Sequence, residues 1–241
     1  MANLTSSRMF WDSKARENPY WYISSFLSYS EPNLRSFWES GYTIWNEVKT
    51  QIGYEPGPEA TVVEIGCGIG RLTRAIAPEV GTVHAFDISA EMLRQGLLGA
   101  PENSQFHLSR GDSLRPVQDG VADLVLAYLV YQHLPDEQVL SRYLREMVRV
   151  ARPGGLIAFT TAPRDWRALC LALLRLRAKL WSGAGGPRQL HCKEWSGIRP
   201  SPRRVQALCP IALKHTAMAS ERWLFWGRVP TLPPRVNAVA A

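Results

Sequence analysis

Three carboxylates, each placed just after a short apolar run, are the residues of this 241-residue chain best set up for chemistry: Glu64, Asp87 and Asp112. The first stands in Thr61 to Thr73, TVVEIGCGIGRLT, where Val62, Val63 and Ile65 make the β-branched run of a buried parallel strand. Gly66, Gly68 and Gly70 then turn the backbone into a helix beginning near Arg71, so a ligand can lie directly on the turn. The spacing is G-x-G-x-G; the dinucleotide fingerprint would need its last glycine at Arg71. A pyrophosphate also favours a helix start free of anions, and Glu64 lies two residues before the first glycine. A cationic ligand suits this turn better.

Asp87 ends the next apolar run, TVHAFDIS, about 20 residues beyond the glycine turn, where βαβ folds place a ribose-binding carboxylate. Asp112, in HLSRGDSL, is placed to accept from an adenine amino group. Together the three acids describe a site for an adenosine without phosphates.

The elements needed to position them alternate. The pattern predicts strands at 61–65, 82–87, 105–109, 122–128 and 155–161, and helices at 70–78, 89–98 and 136–151, with Ser89 and Pro135-Asp136 as start signals. Alternation on this scale requires a parallel sheet with right-handed crossovers and a site at the strands' carboxyl ends.

From Ala60 to Ala162 the chain resembles the class I, Rossmann-like S-adenosylmethionine-dependent methyltransferases. The resemblance rests on EIGCGIG, HAFDIS, the Gly111-Asp112 pair, ADLVLAYLVYQHL and RPGG before LIAFTT, in that order. It implies an α/β fold: a doubly wound, mostly parallel seven-stranded sheet whose last strand, SERWLFWGRV, is antiparallel at the sheet's edge. It also implies S-adenosyl-L-methionine as cofactor. Glu64 with Gly66, Cys67, Gly68 and Gly70 would shape its methionine end, Asp87 would hold its ribose and Asp112 with Ser113 its adenine, with Ile88 a further cofactor-binding position. Arg16 would meet the methionine carboxylate if the N-terminal segment closes.

Residues 1–60 are expected to form an aromatic helical cap. Phe37, Trp38 and Trp45 sit at core spacing, whereas Tyr20, Trp21 and Tyr22 bunch beside the helix break at Asn18-Pro19 and suit a lid over the ligand. After the core at 61–162, residues 163–198 read as an inserted helix and loop roofing a substrate pocket, 199–229 as the last helix and strands, and 230–241 as a tail. At the end of the fourth strand, Tyr128, Tyr131 and His133 are the catalytic candidates. His133 is the base if the acceptor is a hydroxyl, because imidazole titrates near neutrality. His191 is a second candidate; His84 and His107 fall in strands, where burial is expected.

The four cysteines lack C-x-x-C spacing and no metal-ligand pattern appears, so no zinc site or disulfide framework is expected. No apolar run reaches a membrane span and the N-terminus lacks a signal-peptide core, which points to the cytoplasm. The net charge of +7 gathers between Arg164 and Arg204 without an RNA-binding module, so nucleic acid is not the expected partner. The expected function is methylation of an O, N or C atom of a small molecule, with secondary metabolism as a setting. RNA or protein methylation, and a non-methylating scaffold or catalyst on the same fold, are the alternatives. The sequence leaves the oligomeric state open.

Overall fold

The computed structural model describes residues 4–162, 197–218 and 222–231. Helices α1 (Leu4–Glu17), α2 (Pro19–Ile23) and α3 (Leu34–Ile52) precede the sheet. Then follow β1 (Thr61–Ile65), α4 (Arg71–Ile76), β2 (Thr82–Asp87), α5 (Ala90–Gly96), β3 (Ser104–Leu108), β4 (Ala122–Ala127), α6 (Glu137–Val150), β5 (Ala151–Thr161), α7 (Pro202–Leu208), β6 (Lys214–Ala217) and β7 (Trp223–Arg228). The seven strands lie in the order β3-β2-β1-β4-β5-β7-β6. Pairing is parallel from β3 through β5, and β7 is antiparallel to both of its neighbours.

Alternation along the central strands sorts their side chains between two apolar layers. Val63, Ile65, Val125, Ala127, Ile157 and Phe159 enter the layer beneath α6, where Val139, Leu140, Tyr143, Leu144, Met147 and Val150 supply a helical stripe. Val62, Leu124, Leu126, Leu156 and Ala158 enter the opposite layer with Trp45, Val48 and Leu72 of α3 and α4. Each large apolar side chain so buried contributes about 1.5–3 kcal/mol. Glu64 shares the parity of Val62, so its carboxyl points into the α3–α4 layer. The sequence pattern thereby aims a charge into apolar packing.

Two sheet expectations need correction. The last strand does not take the edge: β7 buries Leu224 and Phe225 on opposite faces and sits between β5 and the short, polar β6, whose exposed Lys214 and His215 suit an edge. Strand β5 begins at Ala151, four residues before the expected 155, with a register shift opposite Ala122 to Leu124. Gly155 permits this, because a Cβ there would lie 2.8 Å from the Ala122 carbonyl oxygen.

The N-terminal cap is bolted to the sheet. Asp12 accepts from the Ser89 hydroxyl at 2.7 Å and from the Glu91 amide at 3.1 Å, adding a carboxylate to the start of α5. Gln95 donates to the Ala15 carbonyl at 3.0 Å, and Arg8 to the Ser109 carbonyl at 3.0 Å. Phe37 and Trp45 are core residues, as their spacing suggested, whereas Trp38 is only half-buried, with the Arg74 guanidinium over its ring. Of the expected roof at 163–198, residues 163–196, with His191, Cys170 and Cys192, lie outside the described residues, as does most of the tail. Among the described residues no helix is long and apolar enough to cross a membrane.

Candidate functional site

Strands β1 and β4 are neighbours whose onward connections leave in opposite directions, which opens a crevice at their carboxyl ends. A cavity of about 540 Å³ fills it. Its walls come from the glycine turn, from Phe86 to Ile88 after β2, from Ser109 and Gly111 after β3, from Tyr128 to Val130 after β4, and from α1 to α3 above.

The glycine turn is held by Phe86, whose carbonyl accepts from the Gly66 and Cys67 amides at 2.7 and 2.9 Å. Gly66 has φ 73°, and a Cβ there would lie 2.2 Å from Val130 Cγ2; at Gly68, φ 55°, it would lie 2.7 Å from Ile23 Cδ1. Side chains at either place would fill the cradle that a ligand uses. Gly70 lies below the cavity, starting α4 with its open side against Phe106. Cys67 lines the cavity as a buried thiol whose pKa burial pushes up, so it is not an ionised nucleophile.

Two carboxyls face this cradle. Asp87 accepts from the Gly68 amide with one oxygen and from the Ser89 amide with the other, both at 2.8 Å. The Ile88 amide adds a third bond, and the carboxylate keeps acceptor capacity for a ligand hydroxyl. Burial nonetheless raises its pKa to about 6. Glu64 accepts from the Thr73 hydroxyl at 2.6 Å and is pushed up to about 7, again by burial, with Arg71 drawing it back down. A cationic group nearby would restore both to full ionisation.

Three expected residues stand elsewhere. Asp112 and Ser113 do not line the cavity: beyond the turn at Gly111 the Asp112 carboxylate meets Arg142 of α6 at 3.1 Å, and the Ser113 hydroxyl turns to Glu146. Ser109 and Tyr143 occupy that end instead, their hydroxyls 3.2 Å apart, and Ser109 Oγ also accepts from the Gly111 amide at 2.9 Å. Arg16 is exposed, its charge near Glu91. Leu4, Ser7 and Trp11 are the cavity face of α1, and five residues beyond Trp11 is about 140° around the helix.

The catalytic candidates divide. Tyr131 is fully buried, donating to Met147 Sδ at 2.9 Å and packed against Tyr143 and Phe159, and it does not line the cavity. The backbone takes a left-handed step at Leu129, φ 62°, then a 3-10 turn over Tyr131–His133 that carries the Tyr131 ring into the core. Tyr128 and His133 do line the cavity, His133 edge-on to Trp11 with ring centroids 5.1 Å apart. Arg222 donates to Gln132 Oε1, which leaves the Gln132 amide NH₂ to donate to His133 Nε2 at 2.9 Å. That lone pair is engaged. His84 and His107 are half-buried and bonded to each other at 3.1 Å, away from the cavity. Among the described residues no group of three or more His, Cys, Asp or Glu is placed to hold a metal ion.

Of the aromatic cap, Trp11, Tyr22 and Phe26 line the cavity, while Tyr20 packs on Phe37 and Trp21 on Tyr29. Sequence reasoning missed Ser40, Arg71, Ser109, Tyr143 and Arg222. Arg71 was in view as the residue that spoils a dinucleotide fingerprint. The others carried no local signal.

Residues 63–159 match the family described as a methyltransferase domain. Demethylmenaquinone methyltransferase of Desulfitobacterium hafniense is 31% identical over 144 residues, covering 54% of this chain and 56% of that protein. Malonyl-[acyl-carrier protein] O-methyltransferase of Pseudescherichia vulneris is 34% identical over 102 residues, covering 42% and 39%. The chain thus spans about half the length, or less, of these curated relatives. Among solved structures, N-methyltransferase NodS from Bradyrhizobium japonicum in complex with S-adenosyl-L-homocysteine superposes with a TM-score of 0.60 at 16% identity, covering 93% of this chain and 98% of that one. At that identity the likeness is one of fold.

Proposed function

We propose that the protein, whose residues 63–159 match a methyltransferase domain, is a class I S-adenosylmethionine-dependent methyltransferase that methylates an O, N or C atom of a small-molecule acceptor. One observation carries the reading. A single cavity of small-molecule size joins the glycine turn, Glu64 and Asp87 to an apolar, aromatic-capped space beside Tyr128 and His133. The donor set fits the cofactor: Asp87 keeps acceptor capacity for a ribose hydroxyl, Ser109, Tyr143 and Ile88 suit the adenine end, and Glu64 answers positive charge at the methionine end.

Bound there, S-adenosylmethionine supplies a sulfonium-activated methyl group for in-line displacement by the acceptor atom. The chain's own part is alignment and exclusion of water. Trp11 and Tyr22 cover the cavity from above, while Phe26 stands exposed at its rim, and the bonds from Asp12, Arg8 and Gln95 keep α1 seated. A proton released by an O- or N-acceptor meets His133, which takes it at Nε2 only once the Gln132 amide lets go. Positioning therefore accounts for more of the rate than base catalysis.

The test is incubation with methyl-labelled S-adenosylmethionine and an extract of candidate acceptors. Label in the small-molecule fraction with equal S-adenosylhomocysteine supports the proposal. Label confined to RNA or protein, or cofactor binding with no turnover, would replace it with one of the other two readings.

A further inference from the structure

Arg71 is the one cavity-lining cation that is almost wholly buried, 5% exposed, among the described residues. Its guanidinium lies over the Phe37 ring, 5.5 Å from the centroid, and Nη1 donates to the Ser40 hydroxyl at 3.2 Å. Its Nε has no hydrogen-bond partner, and no carboxylate among the described residues lies within ion-pairing distance. Glu64 acts on it only through space, its own bond going to Thr73. The place is built for the side chain: Gly41 of α3 has no Cβ, and one there would lie 3.2 Å from Arg71 Cγ and 2.5 Å from the Arg71 carbonyl oxygen. A buried guanidinium with an open Nε and no anion is half of an ion pair.

We propose that Arg71, set between Phe37 and Ser40, is a carboxylate-binding site of the cavity. The carboxylate is either that of the cofactor's amino-acid end or one on the acceptor. This rests on the methyl-transfer reading and replaces Arg16 with a residue that faces the ligand. A carboxylate there pairs with the guanidinium edge that Ser40 leaves open, and the charge-assisted bonds satisfy Nε.

Isothermal titration of the full chain separates the sources. The ligands are S-adenosylhomocysteine, 5′-methylthioadenosine, which lacks the amino-acid end, and benzoate or benzamide added to protein saturated with S-adenosylhomocysteine. For the cofactor source, Arg71→Met weakens S-adenosylhomocysteine about tenfold or more and leaves 5′-methylthioadenosine within about twofold. For the acceptor source, both nucleosides keep their affinity while the variant loses benzoate binding that the wild type has and benzamide lacks. Unchanged binding of all four ligands, or equal weakening of both nucleosides, overturns the proposal. Should Arg71→Met fail to fold, Arg71→Lys keeps the charge but not the planar fork, and the same selective loss is expected, smaller in size. A wild type that binds neither nucleoside removes the methyl-transfer reading, and the proposal with it.

Discussion

Replacing Glu64 with Gln should stabilise the ligand-free protein and weaken its hold on the cofactor, and both effects can be sized. The Glu64 carboxyl is 2% exposed, its hydrogen bond from Thr73 is one that a Gln side-chain oxygen can also accept, and burial lifts its pKa from the ordinary 4.5 to about 7. An acid whose folded pKa lies above its unfolded one destabilises the fold as it ionises, so the wild type loses stability as pH rises from about 4.5 to about 7. With about 1.4 kcal/mol per pKa unit, the loss reaches about 3 kcal/mol at pH 8 and almost vanishes at pH 4. Glu64→Gln escapes it. At about 2–4 °C per kcal/mol for a chain of this size, the variant should melt about 6–12 °C above wild type at pH 8 and level with it at pH 4. Cofactor affinity should move the other way, by about 1.5–3 kcal/mol, because the neutral amide no longer answers a cation. Calorimetric melts between pH 4 and 8, with titration of S-adenosylmethionine at pH 8, measure both. A melting difference that does not grow with pH would refute the burial argument, and an unchanged affinity would take Glu64 out of the site.

Asp87→Ala should weaken S-adenosylhomocysteine by about 1.5–3 kcal/mol in titration calorimetry, since a charged acceptor is lost; unchanged affinity would remove it from the ribose role. His133→Ala should lower turnover less than about tenfold and keep the shape of the pH-rate profile, because Nε2 is engaged by Gln132; a fall of about 10²–10⁴ with loss of the acidic limb would establish it as a base. Tyr131→Phe should leave kcat and KM near wild type and cost about 0.5–1.5 kcal/mol in denaturant melts, the worth of one buried hydrogen bond; a collapse of kcat would place the phenol in the reaction. Asp12→Ala should cost about 1 kcal/mol of stability and expose the first helix to limited proteolysis, as expected of a lost helix cap; protease resistance equal to wild type would mean that apolar packing alone seats α1.

The core was legible because its signals are periodic and local. Val62, Val63 and Ile65 declare a strand that must be covered on both faces, the glycines declare the turn, and β1 and β2 fall on the residues that the pattern marked. The position of the last strand at the sheet's far side was less so. The sequence announces that β7 is apolar on both faces, and a strand covered on both sides is a poor edge, so the order β5-β7-β6 follows from burial that the edge assignment left unused.

The site was legible where a side chain's direction follows from strand parity or from the residue right after a strand. That holds for Glu64, Asp87 and Tyr128. It fails where direction depends on a turn. One left-handed residue at Leu129 and the 3-10 turn after it separate Tyr128, which lines the cavity, from Tyr131, which packs on Met147. One turn at Gly111 likewise gives Asp112 to Arg142. Across elements, no local rule reaches far enough: Asp12 finds Ser89, Arg222 orients Gln132, and Gly41 makes room for Arg71. These partners are brought together only by the closed fold, and each touches a residue that the cavity or its cap depends on. Gly41 and Gln132 thus carry no chemical signal of their own, yet the first makes room for Arg71 and the second holds His133 Nε2.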